Sequence, residues 1–589
     1  MSGANRIKGK GRLTPARTLR FTFDGKTLSA IEGDTLASAL IANGIHLTGR
    51  SFKYHRPRGM LSAGPEEPNA LMDVSRDASR RTPNVRATVQ EVFDGLRATS
   101  QNRWPSLAFD IGGLNNLASP FFAAGFYYKT FLWPKAAWKK VYEPIIRAAA
   151  GLGVAPSEPD PDHYANHNVY CDVLVIGGGA AGLSAALAAA HAGAQVILCD
   201  EQPENGGAFH HETGAFLDGV PGWDWAQAAT AELRAMDNVR VLTRTTAFGY
   251  QAQNHVALVE RVTEHLANPD SALPRERLWQ VRARQVVIAT GAIERHMVFA
   301  NNDRPGIMLA SAARTFLNHF GVAVGSKVGV YTACDSAWAA AFDLRQAGVS
   351  VAAIVDVRPD PDPALLARAR ELGIEVLAGQ AVLDTSGSLR VKSMKVGKAS
   401  GGSTRDIPVD ALIMSAGWTP SVHMYSQSRG KVVWDEASQR FLPGRHVQDC
   451  VSIGACNGVD DLGETIAGAA KAGHLAAKAA GSKVRKSWSA PKSASAPSWA
   501  GSMMGSAGGA GAETTVKAFV DFQNDVTAKD IRLAVREGMH SIEHVKRFTT
   551  NGMATDQGKT SNIHGLAIAA EMLDKPLPQV GVTTFRAPY

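Results

Sequence analysis

The chain has 589 residues, 45% of them hydrophobic and 20% charged, a composition that excludes a wholly disordered protein and predicts about four domains. The excess of 62 Lys and Arg over 54 Asp and Glu gives a net charge of +8, which over so long a chain indicates a solvated surface rather than a nucleic-acid site. The five cysteines include no C-x-x-C pair, which excludes zinc ribbons, redox dithiols and ordinary iron–sulfur loops.

We expect a cytoplasmic, soluble protein with neither a membrane nor a nucleic-acid partner. The first residues lack the apolar segment of a signal peptide. The most apolar stretch, 183–199, is interrupted by His191 and Gln195 and is too short to span a bilayer. An odd number of scattered cysteines is typical of a reducing compartment.

After a basic tail over 1–17, the sequence predicts a β-grasp module over 18–75. Apolar and polar residues alternate over 19–23, and Asp24-Gly25 supplies the positive φ angles of a tight hairpin turn. A short helix is expected from residue 35 to near Gly44. Hairpin, helix and loop follow one another in the order of a β-grasp fold.

Residues 76–168 are predicted to form a connecting arm. The arm is rich in aromatic residues and proline and shows no regular period. Two interpretations stay open, an irregular arm packed on its own chain and a surface that another chain covers.

Strands and helices alternate from 169 to about 480, which predicts an α/β fold with two Rossmann domains of the two-dinucleotide-binding, glutathione-reductase-like type. The first domain is expected over 169–300 and 408–480, and the second over 301–407. Beyond them, 481–513 is predicted to be a flexible linker, because it is mostly Ser, Ala, Gly, Pro and Lys, and 514–589 a small helical module.

The first Rossmann domain carries a dinucleotide-binding turn. A buried strand runs into Gly177-Gly178-Gly179-Ala180-Ala181-Gly182. Gly177 permits the sharp bend, Gly179 lets backbone N–H groups approach a pyrophosphate, and Gly182 lets helix and strand pack closely.

The next strand, 195–199, ends at Asp200-Glu201. An acid at this point accepts hydrogen bonds from an adenosine ribose, and the lack of an arginine beside it in the sequence favours NAD over NADP. Gly206-Gly207 and Ala289-Thr290-Gly291 are similar to segments of two-dinucleotide flavoproteins. In flavin-binding members of that class, Gly454-Ala455 would read Gly-Asp, and Ala455 cannot accept the bond that the aspartate takes from the flavin's ribityl chain. We therefore expect a plain nicotinamide dinucleotide in the groove.

The second Rossmann domain has an altered turn, Thr332-Ala333-Cys334-Asp335-Ser336-Ala337, in which side chains replace the glycines. A degenerate structural copy is favoured over a working NAD(P)H site. Cys334 lacks a partner cysteine nearby and is interpreted as buried filler rather than a redox thiol.

Four motifs together resemble the α subunits of heterotetrameric, tetrahydrofolate-dependent sarcosine oxidase. They are Arg50-Ser51-Phe52-Lys53-Tyr54-His55-Arg56-Pro57-Arg58-Gly59, Ser100-Gln101-Asn102-Arg103-Trp104-Pro105-Ser106, Ala124-Gly125-Phe126-Tyr127-Tyr128-Lys129-Thr130 and His544-Val545-Lys546-Arg547-Phe548-Thr549-Thr550. The resemblance implies a subunit, inactive alone, of an enzyme that demethylates sarcosine to glycine, passes the one-carbon unit to tetrahydrofolate and forms H2O2. It also implies β, γ and δ partner subunits. NAD in this chain, FAD in the β subunit and FMN at the boundary with β are the implied cofactors.

The same resemblance places residues around the NAD. Besides Gly177, Gly179, Gly182, Asp200 and Glu201, it implies contacts from Ala181, Gln202, Ala208, Ala247, Asn457, Leu462 and Glu464. We hypothesise that the basic loop of Arg50, Lys53, Arg56 and Arg58 completes the FMN pocket, because cationic side chains suit a phosphate. A solvated basic face is the alternative. No catalytic residue and no metal ligand is predicted.

The chain departs from the family pattern in two respects. A folate-binding domain is expected after Thr583-Thr584-Phe585-Arg586-Ala587-Pro588-Tyr589, and it is missing from this sequence. Segments resembling iron–sulfur domains, after Gly59 and around Phe519-Val520-Asp521-Phe522, have no cysteines, so no cluster is expected.

Other functions stay open at this point. Opine, proline and N-methylglutamate dehydrogenases share this kind of α chain. A self-contained FAD-dependent NAD(P)H oxidoreductase and a non-catalytic assembly scaffold are further alternatives.

Overall fold

The computed structural model describes residues 3–13, 17–131, 133–149, 153–483, 487–493 and 516–586, and the predicted α/β architecture is confirmed. The amino-terminal module is a five-stranded sheet of order β2-β1-β7-β5-β6. Its elements are β1 (Thr18–Phe23), β2 (Lys26–Ile31), α1 (Leu36–Ala42), β3 (Gly49–Arg50), β4 (Pro57–Arg58), β5 (Leu71–Ser75), β6 (Arg81–Arg86) and β7 (Arg97–Ser100).

The predicted hairpin forms because alternate residues of β1 are apolar. Leu19, Phe21 and Phe23 are buried, while their neighbours face outward. Asp24 and Gly25 take φ angles of +47° and +78° at the turn. The Thr35 side chain then accepts a hydrogen bond from the Ser38 N–H and starts α1.

The module extends past its expected boundary. Strand β7 lies between β1 and β5 and pairs with both. The boundary predicted at residue 75 would therefore divide one sheet, and the connecting arm begins after Ser100. The basic tail is also attached, since Arg6 donates hydrogen bonds to the Phe320 carbonyl and the buried Asp34 carboxylate.

The connecting arm has little regular structure and exposes large apolar side chains. Its elements are 3-10 helices at Ile111–Asn116 and Ser119–Phe122, α2 (Phe126–Lys129), a π-helical turn at Trp138–Tyr142 and α3 (Glu143–Ala149). Trp104, Leu117 and Trp133 are 67%, 79% and 83% exposed. This finding favours the interpretation that another surface covers the arm.

The first Rossmann domain begins at Ala165, slightly before the expected residue 169. Parallel strands run in the order β12-β9-β8-β15, and an antiparallel hairpin extends β15. Its first elements are β8 (Ala165–Ile176), α4 (Ala180–His191), β9 (Val196–Cys199), β10 (Phe216–Leu217), β11 (Val220–Pro221), α5 (Gly222–Arg234), β12 (Val239–Leu242), β13 (Thr245–Gln251), β14 (His255–Arg261) and β15 (Glu276–Ile288).

The second Rossmann domain has a parallel sheet of order β17-β24-β18-β19-β20 and a three-stranded antiparallel sheet. Strand β24 belongs to this sheet, so the domain ends after residue 415 rather than 407. The elements are β16 (Ala292–Glu294), β17 (Ile307–Leu309), α6 (Ala310–Asn318), β18 (Lys327–Thr332), α7 (Trp338–Gln346), β19 (Ser350–Asp356), α8 (Pro363–Glu371), β20 (Val376–Ala378), β21 (Ala381–Gly387), β22 (Val391–Gly397), β23 (Thr404–Pro408) and β24 (Ala411–Ser415).

The chain then returns to the first Rossmann domain. The returning elements are β25 (Trp418–Pro420), α9 (His423–Gln427), β26 (Val432–Asp435), β27 (Arg440–Pro443), β28 (Cys450–Ser452) and α10 (Leu462–Ala479). Helix α10 packs closely on α4 because both are rich in Ala and Gly. A Cβ on Gly473 would lie 2.1 Å from the Ala185 carbonyl oxygen.

The segment predicted to be a flexible linker is partly packed. Trp488 and Ala490 contact the core of the first Rossmann domain, and the Lys492 N–H donates to the Asp218 carboxylate at 3.0 Å. Residues 484–486 and 494–515 lie outside the described residues.

The carboxy-terminal module is helical, with a small β-hairpin. Its elements are β29 (Phe519–Asp521), β30 (Val526–Thr527), α11 (Ala528–Arg536), α12 (Ile542–Thr549), α13 (Asn562–Leu573) and α14 (Leu577–Val580). Thr527 and Asp530 form a capping box at the start of α11. In the described part of the chain, no helix is both long and apolar enough to cross a membrane.

Candidate dinucleotide site

A cavity of about 840 Å³ lies between the β-grasp module and the first Rossmann domain. The dinucleotide turn and the end of β9 form its floor, and 63–66 and 88–94 of the β-grasp module form part of its wall. A cavity of this size, with convergent polar groups, suits a cofactor.

The glycine turn has the geometry that the sequence predicts. Gly177 takes a φ of +107°, and a Cβ there would lie 2.4 Å from the Ala289 carbonyl oxygen. A Cβ on Gly182 would lie 1.7 Å from the Gly177 carbonyl oxygen, so no larger residue fits. Gly179 lines the cavity just before α4 begins. Backbone N–H groups and the positive end of α4 therefore face the cavity, as an anion site requires.

The two neighbouring acids differ in what they contact. The Asp200 carboxylate accepts hydrogen bonds from the backbone N–H of Gly178 at 2.5 Å and of Gln202 at 2.8 Å. Burial raises the pKa of Asp200 to about 6, although these two N–H groups oppose the shift. Asp200 lines the cavity, but its carboxylate is already engaged in holding the turn. Glu201 also lines the cavity, and within the described chain its carboxylate has no hydrogen-bond partner. Glu201 is therefore better placed than Asp200 to accept bonds from a ribose.

Most of the other residues expected at the dinucleotide lie in the same place. Besides Gly177, Gly179, Asp200 and Glu201, the cavity wall includes Ala181, Gln202, Ala208, Ala247 and Leu462. Asn457 and Glu464 are exposed and lie outside the wall. Gly182 also lies outside it, behind the turn, in the packing role that the sequence assigned to it.

Several residues of the wall come from parts of the chain that sequence reasoning did not connect with this site. Glu66 and Glu91 belong to the β-grasp module, Lys559 to the carboxy-terminal module, and Glu294 and Ser311 to the second Rossmann domain. No local pattern marks them, because only tertiary packing brings these segments together.

The end of the cavity near the second Rossmann domain is lined by polar groups whose pKa values burial shifts toward the neutral form. The Glu294 carboxylate accepts hydrogen bonds from the Ser311 N–H at 2.8 Å and hydroxyl at 2.6 Å, and burial raises its pKa to about 7. Burial lowers the pKa of His210 to about 4 and that of His211 to about 3. The His211 imidazole stacks on the Trp418 indole, with 6.4 Å between the ring centroids.

The corresponding turn of the second Rossmann domain is filled by side chains. The buried Trp338 indole donates a hydrogen bond to Asp356 at 3.0 Å, and Arg358 also pairs with that carboxylate. Cys334 is buried beside the Ser415 hydroxyl, 3.3 Å away. The acid at the end of β19 is thus held by the protein itself. This arrangement favours the interpretation of the domain as a degenerate structural copy. It also favours a packing role for Cys334 over a redox role.

In the basic loop, the three arginines are engaged by other parts of the chain, whereas the Lys53 ammonium lies over the Tyr54 ring. Arg56 pairs with Asp303 through two hydrogen bonds of 2.7 Å. Arg58 is fully buried and pairs with both Asp303 and Asp525. Arg50 donates to the backbone carbonyls of Leu107 and His55. These arginines join three modules internally, and a phosphate could reach Arg58 only by breaking that network.

The loop after Gly59 is organised by a carboxylate. Buried Glu67 accepts hydrogen bonds from the backbone N–H groups of Leu61, Ser62, Asn69 and Ala70 at 2.7–3.0 Å. Four backbone N–H groups therefore converge on one carboxylate, which fixes the path of this loop.

Comparison with known protein families agrees with this organisation. Residues 16–103 match the family described as a 2Fe-2S iron-sulfur cluster binding domain, residues 171–447 the family of pyridine nucleotide-disulphide oxidoreductases, and residues 515–589 the sarcosine oxidase A3 domain.

The chain is also similar to individual proteins. It is 46% identical to the sarcosine oxidase subunit alpha of Rhizobium meliloti (strain 1021), over 99% of this chain and 58% of that protein. It is 37% identical to the sarcosine oxidase subunit alpha of Corynebacterium sp. (strain U-96), over 98% of this chain and 56% of that protein. The chain thus spans somewhat more than half the length of these relatives.

A solved structure shares the fold. The L-proline dehydrogenase from P. horikoshii aligns over 99% of this chain and 98% of its own, with a TM-score of 0.66 and 19% sequence identity. At that identity the similarity concerns the fold alone.

Proposed function

Because this chain belongs to the family of sarcosine oxidase α subunits, we propose that it is the α subunit of a multi-subunit sarcosine oxidase. The proposed reaction is oxidative demethylation of sarcosine to glycine, with transfer of the one-carbon unit to tetrahydrofolate and reduction of O2 to H2O2. The 46% identity over 99% of the chain is the observation that carries this proposal.

The proposed role of this chain is to hold an NAD in the cavity. The backbone N–H groups of the glycine turn and the start of α4 would bind the pyrophosphate. Glu201 would accept the ribose hydroxyls, and Ala247 would lie against the adenine. NAD supplies a nicotinamide capable of hydride transfer, and we propose that it is retained here for structure rather than turnover.

The flavins are assigned to other places in the assembly. We propose that FAD lies in the β subunit and FMN at the boundary with β. Arg56 and Arg58 do not fit a role in holding the FMN phosphate, because Asp303 and Asp525 already neutralise them.

The exposed arm is the proposed contact surface for another subunit of a heterotetramer with β, γ and δ chains. Trp104, Leu117 and Trp133 are large apolar side chains that the arm leaves exposed, and exposed apolar surface of this kind marks protein–protein interaction sites. Leu117→Ser with Trp133→Ser is expected to weaken co-purification of partner subunits and to leave nucleotide content unchanged. Val433→Ser, at an exposed position on β26 of the first Rossmann domain, is the matched control, and equal loss in both variants would contradict this role.

A self-contained FAD-dependent NAD(P)H oxidoreductase is less well supported. Ala455 lines the cavity without the carboxylate that a flavin's ribityl chain would use, and Trp338 fills the second turn.

The experiment compares the chain purified alone with the chain co-expressed with its partner subunits. Alone, it is expected to show no flavin absorbance and no sarcosine-dependent O2 consumption, and both should appear in the complex. Tightly bound FAD and amine oxidation by the isolated chain would contradict the proposal.

A further inference from the structure

The adenosine end of the cavity contains an arginine that the sequence does not place there. The Arg244 N–H donates to the Gln202 carbonyl at 2.8 Å, and the neighbouring Thr245 N–H donates to the Asp200 carbonyl at 2.7 Å. Arg244 therefore lies directly beside the Asp200-Glu201 corner, although it is more than forty residues away in the chain. Proteins that bind NADP use an arginine at this corner for the 2′-phosphate.

Arg244 is already engaged by the β-grasp module. Its Nε and Nη2 donate to the two carboxylate oxygens of Glu91 at 2.5 and 2.7 Å. The two side chains are 24% and 14% exposed, and both residues line the cavity. A two-point pair of this kind is stronger and more directional than a single contact.

A second arginine at this corner is held in a similar way. Arg261 donates to the Val89 carbonyl at 3.0 Å and to the Glu201 carbonyl at 2.9 Å. The β-grasp segment 88–91 thus accepts hydrogen bonds from both arginines at this corner, Arg244 and Arg261.

The local charge also opposes an added phosphate. Glu66, again from the β-grasp module, lines the cavity. Burial is the main cause of its raised pKa, and the nearby Glu201 carboxylate raises that pKa further. Lys559, also in the wall, acts in the opposite direction on the same group. A dianionic 2′-phosphate would meet carboxylates from both modules, whereas ribose hydroxyls would find acceptors.

We propose that Glu91, by pairing with Arg244, makes the cavity select a dinucleotide with a free 2′-hydroxyl and reject one with a 2′-phosphate. This inference rests on the proposed binding of NAD. It gives the β-grasp module, which has no cluster ligands, a role as the specificity wall of a site in another domain.

The test uses Glu91→Gln in the full chain, freed of bound nucleotide, with NAD⁺ and NADP⁺ titrated by calorimetry. Removal of the Glu91 charge frees Arg244, so NADP⁺ affinity should rise at least tenfold while NAD⁺ affinity changes less than threefold. Adding Arg244→Gln to this variant should abolish the gain. The control Glu375→Gln breaks a similar two-point pair with Arg405 on the outer surface and should leave both affinities unchanged.

The outcomes separate the two levels of the proposal. If the unaltered chain binds no NAD⁺, the proposed nucleotide function fails. If it binds NAD⁺ and Glu91→Gln gains no NADP⁺ affinity, only the role of Glu91 fails. Should Glu91→Gln not fold, Glu91→Asp is the second variant, because it shortens the acid by one methylene and breaks the two-point contact. Unchanged NADP⁺ affinity in that variant would equally overturn the inference.

Discussion

The two Rossmann domains start with the same strand–turn–helix unit, but the space above the turn is a cavity in one and is filled in the other. In the first domain the turn is made of glycines and Glu201 faces the cavity. In the second, Asp356 stands where Asp200 stands in the first, since each accepts a bond from the N–H two residues further on, and Val357 follows it in place of Glu201. Asp356 also receives bonds from the Trp338 and Arg358 side chains. The second domain thus lacks both the turn glycines and an acid at the position of Glu201.

The largest expected effect concerns the filled turn. Trp338→Ala should lower the free energy of unfolding by about 3–5 kcal/mol, because it leaves a large cavity and removes the indole donor to the buried Asp356. Chemical denaturation measures this loss, and the half-buried Trp434 supplies the control Trp434→Ala, with a smaller loss expected. Nucleotide content per folded chain should not change. A change in that content would show that the second turn takes part in binding.

A measurement of stability against pH tests the burial of the Asp200 carboxyl group. The folded-state pKa of Asp200 is about 6, above its ordinary value of 3.8, so protonation favours the folded state. The stabilisation is complete below about pH 4 and is lost as pH rises through 6, by up to about 3 kcal/mol. Unfolding of the nucleotide-free chain against pH, compared with Asp200→Asn, measures this difference. Parallel curves for the two proteins would contradict the assigned burial of Asp200.

The open turn can be blocked with one methyl group. Gly179→Ala is sterically allowed, since the nearest atom to its Cβ is 3.6 Å away, but the methyl group would lie where the pyrophosphate approaches. NAD⁺ affinity should fall at least tenfold, about 1.4 kcal/mol or more. Cys334→Ala, at the equivalent position of the second domain, should leave affinity unchanged. Equal NAD⁺ binding by Gly179→Ala and the unaltered chain would place the dinucleotide elsewhere.

The smallest effect is expected for the ribose acceptor. Glu201→Gln keeps one acceptor oxygen but removes the charge, so NAD⁺ affinity should fall about fivefold, about 1 kcal/mol. Calorimetry measures this change. In the second domain, Asp356→Asn should lower stability and leave NAD⁺ binding intact, and the reverse pattern would contradict the distinction between the domains.

The features that sequence predicts here are those encoded by contiguous residues. Alternation over 19–23 and Asp24-Gly25 give the hairpin, and the spacing of Gly177, Gly179 and Gly182 gives the turn, because each requires only local backbone geometry. Which of Asp200 and Glu201 keeps its carboxylate available for a ligand depends on the tertiary positions of the Gly178 and Gln202 N–H groups.

Ion pairs and strand pairs between distant residues could not be predicted from the sequence. Arg56 and Arg58 look like exposed cations until Asp303 and Asp525, hundreds of residues away, neutralise them. The pairing of Glu91 with Arg244 is equally non-local. The predicted β-grasp module omits strand β7 for the same reason, since the strands with which β7 pairs, β1 and β5, are distant in sequence.

The most direct test of the central claim is mass spectrometry of the nucleotide released when the purified chain is denatured. We expect about one NAD for each chain, released intact and without flavin. Release of FAD, or of no nucleotide from a folded chain, would contradict the account.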